Sequence, residues 1–191
     1  MCSKLIDVEV KVGIEGKIFF LNLNLNLNLN LTVGVFRMEF DQVVRKRRSV
    51  RSYLPHPPSD DDIKKILRAA DMAPSAGGLK SRKIFVVKSH ALRIALAQAS
   101  LDQDFIAEAP VVLVCCADLE QILEYGKRGR ELYCIQDTAA AIENALLKAT
   151  DLGLGSCWVG AFEEEDVSRI CRLPQWLRPV ALVTIGYERF V

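Results

Sequence analysis

The run APVVLVCCAD at residues 109–118 constrains the fold more than any other stretch of the chain. It reads as a strand with no polar face to offer to water, so it must be buried on both sides. RPVALVTIGY at 178–187 reads as a second strand of the same kind. KIFVVKS at 83–89 is a shorter strand, and SCWVGAF at 156–162 is a strand or turn. Between them, FDQVVRKR at 40–47 has helical apolar spacing. The next predicted helix, 59–73, opens with Ser59 as a good N-cap and three aspartates at the positive end of the helix dipole. Its apolar residues Ile63, Ile66, Leu67 and Ala70 recur at intervals of three and four. HALRIALAQAS at 90–100 and EEEDVSRICRL at 163–173 are further helices. Residues 131–152 predict a long Ala-rich helix stopped by Gly153 and Gly155, and packed in a core or against another subunit. Strands and helices alternate without tandem repeats, so the domain is α/β or α+β.

Residues 1–37 do not resemble the rest. LNLNLNLNLNL, 21–31, is a strict two-residue repeat that would place Leu on one strand face and Asn on the other. LIDVEVKV alternates as well, and GIEG is placed to turn a hairpin between them. Such a repeat also fits an expanded DNA repeat or a mis-assigned start. Function is therefore expected to begin at Met38, with a non-family arm at 1–37 and the functional domain at 38–191.

Composition narrows the function classes. The 191 residues suit one well-buried domain. The formal charge of +1 argues against a general nucleic-acid binder. No apolar run approaches the roughly 18 residues that span a bilayer, so no membrane partner is expected. The opening residues do not resemble a secretory signal. Six cysteines include no C-x-x-C pair, and Cys115 and Cys116 sit inside an apolar run. This predicts reduced thiols and a cytoplasmic protein. Two histidines make a zinc site improbable, and no metal is expected.

Against the small net charge, VRKRRSVRSY at 44–53 holds five cations and no acid. Arg47, Arg48, Ser49 and Arg51 combine guanidinium forks with a hydroxyl, which suits a phosphate group. Residues 47, 49 and 51 share a face if the segment is extended. A solvated basic helix end is the alternative. APSAGGLKS at 73–81 carries Pro74 and paired Gly77 and Gly78, a tight turn whose small side chains let a flat ring approach. It is equally readable as a plain connector. GLGSCWVGAF at 153–162 lacks the G-x-G-x-x-G spacing and follows a helix, so it is no dinucleotide fingerprint. Its GSCW has Leu154 in place of a first Cys and no histidine downstream, which argues against a cysteine protease.

In this order, RRSVR, APSAGGLKS, the helix QDTAAAIENALLKATDLGLG, SCWVGAF and LPQWLRPVALVTIGY resemble the FMN-dependent nitroreductase family over residues 38–187. The resemblance implies an α+β fold with a central, mostly antiparallel sheet flanked by helices. It also implies a homodimer with FMN in the subunit interface. Arg47, Ser49 and Arg51 would take the phosphate and ribityl end, with Arg48 nearby. Pro74, Ser75, Ala76 and Gly77 would line the ring, partly from the neighbouring subunit. Gly160 and Ala161 would offer backbone to its far side. Where many members carry Asn and then Gln-Pro-Trp, this chain has Gly78 and then Lys80, Ser81 and Arg82. The side-chain contact to the ring edge would then be either missing or replaced by Lys80, and Lys80 or Arg82 would supply positive charge near flavin N1 and the C2 oxygen. Arg189 is the one candidate for a further cation toward the phosphate. The implied activity is ping-pong hydride transfer from NAD(P)H through flavin N5 to an electron-poor small molecule such as a nitroaromatic or quinone. No side chain is then required as nucleophile or general base. The alternative is a flavin- or nucleotide-binding protein without turnover.

Overall fold

The computed structural model describes residues 9–14, 17–22 and 38–190. The chain divides into two compact units, Met1–Phe36 and Arg37–Val191. In the first, β1 (Glu9–Ile14) and β2 (Lys17–Asn22) pair antiparallel, with Ile14 opposite Lys17. The paired strands lie on either side of residues 15–16, and the second of them is KIFFLN. Most of the Leu-Asn repeat lies outside the described residues.

In the second unit, α1 (Phe40–Lys46) and α2 (Asp60–Asp71) precede β3 (Arg82–Val87). Ser59 caps α2 as expected, its hydroxyl accepting the Asp62 N–H at 3.1 Å. Then follow α3 (His90–Ala99), α4 (Phe105–Glu108) and β4 (Val111–Asp118). After a single helical turn, α5 (Gly126–Arg128), come α6 (Cys134–Asp151), β5 (Gly155–Val159), α7 (Glu164–Cys171) and β6 (Leu177–Gly186).

β3 to β6 form one antiparallel sheet in the order β3-β4-β6-β5. The double burial read from 109–118 is met in full, since every residue of β4 is buried. Its side chains alternate between two cores. Val111, Leu113 and Cys115 pack with α2 and α6 through Ile63, Ile66, Ile142 and Leu146. Val112, Val114 and Cys116 pack on the other side with α3, α4 and α7 through Leu96, Ile106 and Val167. Burial pushes the Cys115 and Cys116 thiols up, Cys116 to about 12. Both are packing groups with no thiolate at neutral pH.

The long helix differs from expectation at its start and its stop. Residues 129–133 form a π turn, and the α-helix begins at Cys134. Its buried stripe runs Cys134, Asp137, Thr138, Ala141, Ile142, Ala145, Leu146 and Ala149, while Gln136 and Glu143 face out. Gly153 does cap the end: it has φ 74°, and the Leu154 N–H reaches back to the Ala149 carbonyl at 2.9 Å. Gly155 is not part of the cap. It is the first residue of β5, for a reason seen at the basic segment.

Candidate flavin site

The basic segment is extended and sewn onto the β5 edge of the sheet. Ser49 bridges Ser156 in parallel, and the Val50 N–H donates to the Ser156 carbonyl at 2.9 Å. Farther along, the Leu54 N–H donates to the Tyr187 carbonyl at 2.8 Å, and the Arg189 N–H donates to Ser52 at 3.0 Å. Two cross-strand partners, Gly155 and Gly186, make this approach possible. A Cβ on Gly155 would lie 2.9 Å from Val50. One on Gly186 would lie 2.6 Å from Pro110 and 2.9 Å from Tyr53. The inner residues Val50 and Tyr53 thus drop onto a flat patch that only paired glycines provide.

Tyr53 fixes the strand from below. Its hydroxyl donates to the Val50 carbonyl at 2.6 Å and shares a hydrogen bond with Thr184 Oγ1 at 2.7 Å. Burial pushes its phenol well above the ordinary value, so it stays a donor throughout the neutral range.

With the backbone fixed, the arginines divide by role. Arg48 forms an ion pair with Glu188 at 2.6 Å. Arg47 caps α1 through its N–H to the Val43 carbonyl, and its side chain has no carboxylate partner among the described residues. Arg51 is exposed, with its guanidinium 5.8 Å from the centre of the Phe105 ring. Arg47, Ser49 and Arg51 are therefore gathered along one edge with two uncommitted guanidinium groups. Arg189 lies beside them through its bond to Ser52. Gly160 and Ala161 follow directly from β5 on the same edge, both exposed. Gln103 Nε2 donates to the Ala161 carbonyl at 3.1 Å.

The glycine loop belongs to the opposite edge, because it leads into β3. Pro74 is exposed, Ser75 and Ala76 are half-buried, and Ala76–Gly78 make a single 3-10 turn in which Gly77 has φ 57° and Gly78 φ 71°. A carboxylate that sequence reasoning passed over holds this turn. Asp137, buried on α6, accepts the Ala76 N–H at 2.9 Å and the Ser81 hydroxyl at 2.7 Å. The Lys80 N–H donates to Ser75 Oγ at 3.0 Å. The amides of Ala76, Gly78, Leu79 and Lys80 are thus all used inside the protein. What the loop offers outward is shape. No heavy atom lies within 4 Å of where a Gly78 Cβ would sit, and only Trp158 Nε1, at 3.9 Å, lies near that of Gly160.

The chain's departures at 80–82 have structural explanations. Ser81 is the Asp137 partner. Arg82 is buried and directs Nη2 to the carbonyls of Ala70, Asp71 and Ala73 at 3.1–3.2 Å, capping the C-terminal end of α2. Lys80 Nζ pairs with Asp71 at 2.6 Å on the surface. Of the two cations expected to face the ring edge, Arg82 is committed to α2. Lys80 is held only by an exposed pair, which is easily exchanged.

In one chain, then, the two halves of the candidate site stand at opposite edges of a four-stranded sheet. At 4.7–4.9 Å per strand the outer strands are roughly 14 Å apart. Free guanidinium groups on one edge and an open, pre-shaped loop on the other fit a phosphate-bearing flat heterocycle.

The class defined by this architecture is an α+β protein with a helix-covered antiparallel sheet and, among the described residues, no nucleophile–base constellation at its candidate site. Residues 44–103 and 97–187 match the nitroreductase family, and the chain belongs to that family. It is 32% identical over 170 residues to an NADH dehydrogenase of Thermus thermophilus, covering 74% of this chain and 83% of that protein. It is 30% identical over 148 residues to the oxygen-insensitive NADPH nitroreductase of Salmonella typhimurium, covering 73% of this chain and 62% of that protein. A crystal structure of a nitroreductase family protein from Clostridium novyi superposes with a TM-score of 0.73 at 32% identity, covering 80% of this chain and 86% of that one. Among the described residues, no helix is long and apolar enough to cross a membrane.

Proposed function

We propose that the protein is an NAD(P)H-dependent flavin oxidoreductase that works as a homodimer, with FMN held between two chains. The observation that carries this reading is the separation of the two half-sites on opposite sheet edges. A flavin touching both is served by the basic edge of one chain and the glycine loop of the other. Relatives named as NADPH nitroreductase and as FMN reductase support the donor and the flavin. When bound, FMN would accept a hydride from NAD(P)H at N5 and pass it to an electron-poor acceptor such as a nitroaromatic or quinone.

The chain's own residues bind and orient. Arg47 and Arg51 grip the phosphate as a bidentate pair of forks, and the Ser49 hydroxyl adds one bond. Arg189 approaches the same end. Because Tyr53 and the paired glycines fix the backbone beneath, the cradle is formed before the ligand arrives and little ordering entropy is lost on binding. Pro74, Ser75, Ala76, Gly77 and Gly78 form one wall for the ring, held by Asp137. Gly160 and Ala161 cover its far side. Lys80 can leave Asp71 and place its ammonium at the ring edge, where developing negative charge favours it.

The double variant Arg47→Ala/Arg51→Ala tests the cradle. Each charged hydrogen bond is worth about 1.5–3 kcal/mol. Loss of both should weaken FMN binding by roughly 10²- to 10⁴-fold and yield colourless, folded protein. A variant that purifies yellow, with FMN affinity unchanged, contradicts the assignment. NAD(P)H bleaching of the wild-type colour separates an enzyme from a passive flavin binder.

A further inference from the structure

A second cation-bearing surface lies next to the glycine loop, on a stretch to which sequence periodicity assigns no element. Tyr125 packs against the loop so closely that a Cβ on Gly77 would sit 2.5 Å from its hydroxyl. Its ring meets Tyr133 edge to face, with centroids 5.6 Å apart. Arg128 lies on the Tyr133 ring with Cζ 5.4 Å from the centroid, and its Nε donates to the Tyr133 hydroxyl at 3.0 Å. Among the described residues Tyr133 is the only side-chain partner of Arg128, so both Nη groups are free. The neighbouring Lys127 is drawn to Glu131, 3.7 Å away.

The backbone is built to hold this group. Residues 129–133 form a π turn, a geometry that is rare and recurs at functional sites. Gly129 is buried there, and a Cβ on it would lie 2.7 Å from Tyr125 Cβ and 2.8 Å from the Ile122 carbonyl. The turn and the glycine together bring Tyr125, Arg128 and Tyr133 into one platform. Tyr125 nonetheless remains 39% exposed.

We propose that this platform recognises the 2′-phosphoadenosine end of NADPH and sets a preference for NADPH over NADH. The inference rests on the flavin reading above. A nicotinamide stacked on a ring lined by residues 74–78 sends the rest of the dinucleotide over the adjoining surface, and that surface begins at Tyr125. Aromatic faces suit adenine. A guanidinium fixed through Nε with both Nη groups outward suits a phosphomonoester dianion, which NADH lacks.

The test uses flavin-loaded protein and two readouts. By titration calorimetry, the wild type should bind 2′,5′-ADP about tenfold or more tighter than 5′-AMP. Arg128→Ala should abolish that difference, and Tyr133→Phe should reduce it by loosening the guanidinium. In steady-state assays the ratio of kcat/KM for NADPH to that for NADH should fall about tenfold in Arg128→Ala, through KM. Equal binding of the two nucleotides by the wild type overturns the proposal. So does a difference that survives Arg128→Ala, or a variant that changes KM only for a carboxylated acceptor. A colourless protein that neither nucleotide reduces would count against the flavin reading instead.

Discussion

The two edges of the sheet are prepared in opposite ways. On the β5 edge, backbone hydrogen bonds, two glycines and one buried tyrosine hold the segment 47–54, and charged side chains are left over. On the β3 edge, side chains do the holding: Asp137 pins the turn and Arg82 caps the helix before it, so the loop keeps shape but few free donors. A charged end of a ligand needs unpaired cations on a rigid support. A flat ring needs a fixed wall and open space. The difference supports the proposal that the β5 edge takes the phosphate end of a mononucleotide and the β3 edge one wall of its ring.

The contrast is broken most forcefully at Asp137. Asp137→Ala removes two hydrogen bonds and leaves the buried Ser81 hydroxyl without a partner. It should lower unfolding free energy by about 2–4 kcal/mol in urea. In Asp137→Asn the amide oxygen can still accept one of the two bonds, so the loss should be smaller. An alanine variant as stable as the wild type would mean that the loop holds its own shape.

On the other edge, Gly186→Ala forces a methyl against Pro110 and Tyr53 and should cost about 1–3 kcal/mol. The same change should weaken FMN more than riboflavin, since only the phosphate end is displaced. Equal loss for both flavins would place the ring, not the phosphate, on this edge. Tyr53→Phe should cost about 1 kcal/mol and shift the FMN-to-riboflavin ratio in the same direction.

The smallest effect is expected at the surface pair of Lys80 and Asp71. Lys80, by hydrogen bond and charge, holds the Asp71 carboxyl below its ordinary value. Whatever stability the pair adds is present above the ordinary carboxylate range and fades as pH falls through the lowered value. Asp71→Asn should therefore lower the neutral plateau of a melting profile slightly and meet the wild-type curve at acid pH, where the pair is already lost.

Much of this was legible in the sequence. The apolar runs at 109–118 and 178–187 demanded buried strands, and Ser59 with three aspartates marked the start of α2, because such signals are local. RRSVR and APSAGGLKS pointed to two segments that the structure holds at opposite edges of the sheet. Long-range partnerships were not legible. Gly155 read as a helix stop, because its pairing with Gly186 and its contact with Val50 depend on register across the sheet. Asp137 drew no reading from the sequence, since nothing nearby reveals that it faces residues 76 and 81. Residues 119–130 carry no clean period, and nothing local in the sequence marks the π turn at 129–133.

The most direct measurement is complementation between chains. Arg47→Ala/Arg51→Ala protein, with a ruined cradle, is unfolded and refolded together with a variant whose loop is ruined at Asp137. If each flavin is shared, mixed dimers hold one intact site, and about a quarter of all sites should regain FMN, although neither variant binds it alone. A mixture that stays as colourless as its parents would show that cradle and loop serve one flavin within a single chain, and would contradict the shared site.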